Sequence, residues 1–176
     1  MARPLRAGCA RLRARSSRAL LEARRWLAPE RALRAPDLDP ATLGLLGERL
    51  VGRALRRQGW RLLGARLVTR AAELDLCLLD DEVLVAVEVK TGRAPDGIEP
   101  EAAVAGWRPG VRFRTADLER VRRAAARLGE DTGRAWRVDL VELVVTPSKV
   151  HFFHHVDLRA ALSPPAPRAD LLDATP

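Results

Sequence analysis

The chain has 176 residues and a mass of 19.4 kDa, the size of one domain with short additional segments. With 47% hydrophobic and 31% charged residues it can bury a core, which excludes a wholly disordered chain. No apolar run approaches the roughly 20 residues of a membrane-spanning helix, so we expect a soluble protein without a membrane partner. The two cysteines form no CxxC motif, which argues against a disulfide framework or a zinc site.

The net charge of +8 is confined to residues 1–36, which contain ten arginines against Glu22 and Glu30. The remaining chain holds 21 basic and 21 acidic residues. We expect 1–36 to be a disordered basic arm, which would raise affinity for phosphate polymers. Arginine outnumbers lysine 29 to 2, as a GC-rich genome would produce, and this favours a bacterial cytoplasmic protein over one with a mitochondrial transit peptide.

The first predicted element is a helix. Asp39 is a suitable N-cap and Pro40 suits the first helical position. Apolar residues then recur at helical spacing from Leu43 to Leu55, until Gly59 ends the pattern.

A strand pattern follows, and then a second helix. We predict strands over 62–68, 73–79 and 83–90, a turn at 80–82, and a long loop rich in Gly and Pro over 91–114. Thr115 is predicted to cap a helix that ends near Gly129, and strands follow over 137–146 and 149–156. The order α-β-β-β-α-β-β indicates an α/β or α+β domain over 37–160, with a central mixed sheet flanked by helices and a disordered tail over 161–176.

The third strand carries the residues with the most chemistry. From Val83 to Lys90 four valines share one face, so Glu88 and Lys90 both point to the other face. The preceding strand supplies Asp75. Residues facing each other across antiparallel strands lie within about 5 Å, so Asp75 and Glu88 converge if the register sets them opposite.

Two carboxylates beside an amine suit metal-dependent hydrolysis of a phosphodiester. Carboxylate oxygens are ligands for Mg²⁺ or Mn²⁺, and the lysine would orient or deprotonate the attacking water. Lys90 is one of only two lysines in the chain. Spacing alone favours a simpler interpretation, a strand-end ion pair between Glu88 and Lys90 with Asp75 capping a turn.

A family resemblance favours the metal site over the simple ion pair. The segments Gly47-Glu48-Arg49, Glu73-Leu74-Asp75-Leu76 and Val87-Glu88-Val89-Lys90-Thr91-Gly92-Arg93, followed by a helix and the strand at 137–141, resemble the YraN family of small uncharacterised bacterial proteins. The similarity runs from about Leu43 to Leu158. It implies the restriction-endonuclease-like fold of Holliday-junction resolvases, with Asp75 and Glu88 as metal ligands, Lys90 as the catalytic lysine and Glu48 as a further acidic ligand.

The chain departs from that family pattern at several positions. Ala72 replaces a glycine, and Gly92 displaces the expected arginine to Arg93. Leu118 stands where the family usually has a lysine at the start of the second helix. If that lysine contacts phosphate, either Arg114 or Arg120 replaces it or phosphate binding is weaker.

The long loop is the remaining candidate interface. Its arginines could hold a nucleic-acid backbone, with Trp107 or Phe113 stacking on a base, or they could be ordinary solvated charges; they are Arg93, Arg108, Arg112 and Arg114. His151, His154 and His155 lie on the last predicted strand and are interpreted as exposed edge-strand residues, not as a metal site.

Three functional hypotheses remain. The first is a Mg²⁺- or Mn²⁺-dependent endonuclease acting on structured nucleic acid, with DNA preferred to RNA. The second is a nucleic-acid-binding module of the same fold that does not cleave. The third is a protein-interaction protein with a basic arm, and a homodimer like that of junction resolvases is left open.

Overall fold

The computed structural model describes residues 28–95 and 100–158. Its helices are α1 (Pro29–Leu33), α2 (Pro40–Arg57), α3 (Pro100–Gly106) and α4 (Thr115–Thr132), with a 3-10 turn at Pro109–Arg112. Its strands are β1 (Arg61–Val68), β2 (Glu73–Asp80), β3 (Val83–Arg93), β4 (Trp136–Val145) and β5 (Val150–His155).

The five strands form one mixed sheet in the order β1-β2-β3-β4-β5. Strands β3 and β4 pair in parallel, with α3 and α4 in the connection between them, and the other neighbours are antiparallel. This confirms the predicted α+β class and the mixed sheet flanked by helices. The arrangement is consistent with a restriction-endonuclease-like core.

Helix α2 begins as the sequence predicts. The Asp39 side chain accepts a hydrogen bond from the Thr42 backbone N–H at 2.9 Å, and Pro40 occupies the first turn. The apolar face of the helix buries Leu46 and Val51 against the sheet. Because this helix carries a predicted site residue, its packing sets the position of that residue.

Two hydrophobic layers cover the sheet. Helix α2 packs on one face, where the β3 side chains are Val85, Val87 and Val89. Helix α4 packs on the other face, where Ala86 is buried against Val121 and its neighbours. The alternation of β3 therefore directs Glu88 and Lys90 to the α4 side.

The segment predicted as one long loop is more ordered than expected. Strand β3 continues to Arg93, and α3 and the 3-10 turn lie within the described part of 91–114. Thr115, predicted as a cap, is instead the first residue of α4, with Arg114 at the N-cap position.

Packed structure also begins before residue 37. Within the predicted arm, α1 forms a short helix whose Leu33 is completely buried. Residues 1–27 of the arm, and the predicted tail, lie outside the described residues. Among the helices that the structure describes, none is long and apolar enough to cross a membrane.

Candidate functional site

Asp75 and Glu88 lie where β2 and β3 separate. The paired register ends at Leu76 with Val87, so Asp75 and Glu88 are the next residues along the two strands, and Asp75 is close enough to raise the pKa of Glu88. There the Asp75 carboxylate accepts a hydrogen bond from the Val89 backbone N–H at 2.8 Å. The structure thus brings the two predicted carboxylates together at the open end of the ladder.

Lys90 lies beside Glu88 on the α4 side of the sheet. Its Nζ is 2.5 Å from Glu88 Oε1 and 5.4 Å from the centroid of the Phe113 ring. Glu88 is only 8% exposed, but it and Lys90 border an open pocket of about 410 Å³ that Asp117 and Arg120 also line. A substrate group can therefore reach the amine and the carboxylate from solvent.

Glu48 reaches the same region from α2. The preceding residue, Gly47, packs so closely on β3 that a Cβ there would overlap the Thr91 hydroxyl. This close approach sets Glu48 at the edge of the sheet, where its side chain is 14% exposed and 3.5 Å from Arg66. Arg66, which sequence reasoning missed, has a φ of 52° and also pairs with Glu73 at 2.7 Å.

The three carboxyl groups share an excess of negative charge. Burial raises the pKa of Asp75, although the hydrogen bond from Val89 opposes that shift. Burial and the neighbouring Asp75 raise the pKa of Glu88. Burial, followed by Asp75, raises the pKa of Glu48 to about 7, against a smaller opposing effect of Arg66. Such a cluster favours a bound cation or protons.

The donor set fits a divalent cation that prefers oxygen. Among the described residues, no group of three carboxylate, imidazole or thiol side chains is already close enough to hold a metal ion. Mg²⁺, however, is often held by one or two carboxylates together with waters and substrate phosphate. Asp75 and Glu88 would be these two carboxylates, and Glu48 would be a further acidic ligand.

Comparison with known proteins assigns the family. The family sequence model described as "Uncharacterised protein family UPF0102" matches residues 47–143. This range includes Glu48, Asp75, Glu88 and Lys90. The chain belongs to the UPF0102 family.

Three relatives, each named a UPF0102 protein, illustrate the similarity. A protein from Nocardioides sp. is 38% identical over 105 residues, which cover 58% of this chain and 77% of the relative. One from Beutenbergia cavernae is 35% identical over 117 residues, 65% of this chain and 88% of the relative. One from Syntrophomonas wolfei is 45% identical over 62 residues, 35% of this chain, and there the match spans about half of the relative, 54%. This assignment agrees with the family resemblance noted from the motifs.

Two of the predicted nucleic-acid-binding arginines make internal contacts in this UPF0102 chain. Arg93 donates hydrogen bonds to the carbonyl oxygens of Leu33 and Ala35, so it ties α1 to the sheet. Arg108 pairs with Glu142 at 2.6 Å and lies 3.9 Å above the centroid of the Phe153 ring. The interpretation of these two as solvated loop charges is therefore wrong, and their guanidinium groups are already engaged.

The other predicted arginines are better placed. Arg114 is exposed at the start of α4. Arg120 lines the pocket beside Lys90 with its side chain 56% exposed and paired to Asp117. The side chain of Arg112 lies outside the described set. Arg114 and Arg120 remain candidates for the role that the family lysine would have at Leu118.

The histidine prediction is wrong about exposure. Strand β5 is an edge strand, but His154 and His155 are 7% and 3% exposed. His155 is 2.7 Å from Glu142 on the α4 side, whereas His154 is 2.9 Å from Asp139 on the α2 side. The prediction that they point to opposite faces is confirmed.

Glu142 shows how a structural carboxylate differs from the site carboxylates. Burial alone would raise the pKa of Glu142, but hydrogen bonds from His155, Arg108 and the Gly110 backbone N–H lower it. Each of these donors stabilises the charged form. The pKa of Glu48 moves in the opposite direction, because burial and then the neighbouring Asp75 raise it more than Arg66 lowers it.

Replacing Glu48 by glutamine is expected to stabilise the UPF0102 fold at high pH only. With a pKa of about 7 in place of 4.5, Glu48 must hold an unfavourably placed charge above neutral pH. The destabilisation is absent below pH 4.5, grows as the pH rises, and reaches about 1–2 kcal/mol near pH 8 once solvent screening in the open groove is allowed for. Urea unfolding of the wild type and of Glu48→Gln, below pH 4.5 and again near pH 8, measures this difference in stability. Glu119→Gln on α4 is the control. A pH-independent difference would contradict this prediction.

Proposed function

We propose that this UPF0102 protein is a metal-dependent nuclease that acts on structured DNA in the bacterial cytoplasm. The observation that carries the proposal is that Asp75, which accepts a hydrogen bond from the Val89 backbone N–H, and Glu88 directly follow the last pair of the β2–β3 register, with Lys90 beside Glu88. Cavity shape alone would not distinguish a nuclease from other hydrolases. Glu88 and Lys90 line one open pocket and Asp75 lies on the neighbouring strand, and two carboxylates with an amine match what phosphodiester hydrolysis requires.

Each residue of the site has a role in this proposal. Asp75 and Glu88 would hold Mg²⁺ or Mn²⁺, and the bound cation would stabilise the charge that develops on the phosphate. Lys90, now paired with Glu88, would turn to the attacking water and orient it, and it would accept the proton of that water only as a neutral amine, after releasing its own proton to solvent. Glu48 would be a further acidic ligand, reaching the site from α2.

A non-cleaving nucleic-acid-binding module is the second candidate. It is favoured by the short Lys90–Glu88 contact, since an ion pair that only stabilises the strand end would have the same geometry. In that case the site would bind the backbone of the nucleic acid without a metal requirement.

Calorimetric titration with Mn²⁺ and Mg²⁺ tests the site first. We expect the wild-type chain to bind, and Asp75→Ala and Glu88→Ala to lose binding, because each removes one ligand of a shared site. Asp131→Ala removes a carboxylate that is 52% exposed on α4, and it should bind metal like the wild type. Loss of binding in the Asp131 variant would mean that the metal is held elsewhere.

A cleavage assay on branched, flapped and single-stranded DNA then separates the candidates. Metal-dependent cleavage supports the nuclease. Binding that falls steeply with salt, without cleavage, supports the non-cleaving module. If the full chain ignores DNA at low salt, both proposals are overturned, and the hypothesis of a protein-interaction role remains.

A further inference from the structure

Beyond residue 36, the positive charge of the chain is concentrated in one short stretch. Residues 40–68, which form α2 and β1, contain six arginines and a single acidic residue, Glu48. Residues 69–176 contain 15 basic and 18 acidic residues. Residues 37–176 are neutral as a whole, so α2 and β1 form the electropositive side of this part of the chain.

The arginines of this stretch lie along one groove. Arg49, Arg53 and Arg56 follow each other at spacings of four and three residues, which puts them on one face of α2. Together with Arg66 of β1 they line an open groove of about 470 Å³ between the helix and the strand. Arg49, Arg56 and Arg66 are exposed, and Arg53 is half-buried.

The groove leads to the carboxylate site. Glu48 lines the groove and contacts Arg66. Arg66 in turn pairs with Glu73, which lines the pocket that contains Glu88 and Lys90. The contacts Glu48–Arg66–Glu73 therefore link the groove on the α2 side of the sheet to the pocket on its α4 side, and a chain of phosphates would pass from one to the other along these residues.

Helix stability does not account for the whole pattern. Basic residues in the last turn interact favourably with the helix dipole, which explains Arg56 and Arg57. Arg49 and Arg53 lie in the middle of α2, where that effect is small.

We infer that the arginine face of α2, formed by Arg49, Arg53 and Arg56, binds the phosphodiester backbone of the nucleic acid whose target bond lies at Asp75 and Glu88. This inference rests on the proposed function and names the surface that holds its substrate. Guanidinium groups bind phosphate in a bidentate geometry, and each contact releases counterions from the nucleic acid. The interface therefore lies on the α2 side, while Arg93 and Arg108 of the segment after β3 hold the fold together.

A pair of matched triple variants tests this inference. The first changes Arg49, Arg53 and Arg56 to glutamine, which keeps helix propensity and removes three charges. The control changes Arg70, Arg123 and Arg127 to glutamine; all three are exposed and line a different groove, beside α4. Fluorescence anisotropy of labelled duplex and four-way-junction DNA with the full-length chains, in EDTA and over a salt series, gives affinity and salt dependence. Circular dichroism confirms that both variants fold.

The two variants are expected to differ clearly. The α2 variant should bind DNA roughly 10- to 100-fold more weakly at low salt, and the slope of log K against log salt should fall by about 2–3. The control should keep the wild-type slope and affinity within about twofold. Equal losses in both variants, or an unchanged α2 variant, would overturn the inference and leave the proposed function intact. Absence of DNA binding by the wild-type chain would overturn the proposed function itself.

Discussion

Changing Lys90 to methionine is expected to lower metal-dependent DNA cleavage by about 10²–10⁴-fold, the usual range for loss of a general acid or base. Methionine keeps the apolar stem of the lysine but removes the amine that lies 2.5 Å from Glu88. DNA binding should change by less than about threefold, because one charge at the site adds little to a backbone interface with many contacts. Cleavage rates and anisotropy on the same DNA measure the two effects.

The other lysine of the chain provides a matched control. Lys149 is exposed between β4 and β5, outside the candidate site, and Lys149→Met should cleave like the wild type. Lys90→Arg adds a mechanistic distinction, because arginine keeps the charge but cannot give up its proton. Strong rescue by arginine would mean that Lys90 acts through its charge alone. Cleavage within about threefold of wild type in Lys90→Met would contradict a catalytic role.

The core of the site could be predicted because it depends on local rules. Alternation along β3 sets Glu88 and Lys90 on one face, and the short turn at 80–82 fixes β2 as an antiparallel neighbour. Once that register is set, Asp75 and Glu88 directly follow its last pair, Leu76 with Val87. Glu48 was assigned from the family resemblance, and its geometric cause is the contact between Gly47 and Thr91, a long-range packing event with no local signal.

The segment 91–114 was predicted as a loop because its prolines and glycines were counted as breakers. Proline is also favoured at the first position of a helix, since it lacks the N–H that would be unpaired there. Pro100 and Pro109 begin α3 and the 3-10 turn in this way. Two of the glycines serve close packing instead of turns: a Cβ on Gly92 would overlap Trp107, and one on Gly110 would overlap Glu142.

The partners of Arg93, Arg108 and the histidines were beyond local reasoning. Strand parity predicted that His154 and His155 point to opposite faces, but it does not tell what covers those faces. The structure covers His155 with Arg108 and places the Trp60 ring 6.0 Å from that of His154. Each of these contacts joins residues more than 40 positions apart in the chain.

Changing Asp139 to alanine is expected to destabilise the fold by about 3–5 kcal/mol, the usual effect of removing one partner from a buried ion pair. Asp139 is completely buried and accepts hydrogen bonds from Arg137 Nε at 3.1 Å and from the Asp157 backbone N–H at 2.9 Å. Its other carboxylate oxygen is 2.9 Å from His154 Nε2. Alanine would leave those groups without this acceptor, although Arg137 would keep its contact with Asp80 at 2.9 Å. Since small domains are stable by only about 5–15 kcal/mol, urea unfolding should show a large shift.

The comparison of Asp139→Ala with Glu48→Gln separates carboxylates that hold the fold from those that serve the site. Both positions lose a buried or half-buried acid, yet the expected changes in stability near pH 8 have opposite signs. Asp139 accepts hydrogen bonds from several donors, which removing its side chain would leave unpaired, whereas burial and then Asp75 disfavour the charged form of Glu48. Mn²⁺ should raise the unfolding midpoint of the wild type and of Asp139→Ala alike, because Asp139 lies on the opposite side of the sheet from Glu88 and Lys90. Destabilisation of equal size in both variants would contradict this division, since it would mean that Glu48 also contributes to the stability of the native fold.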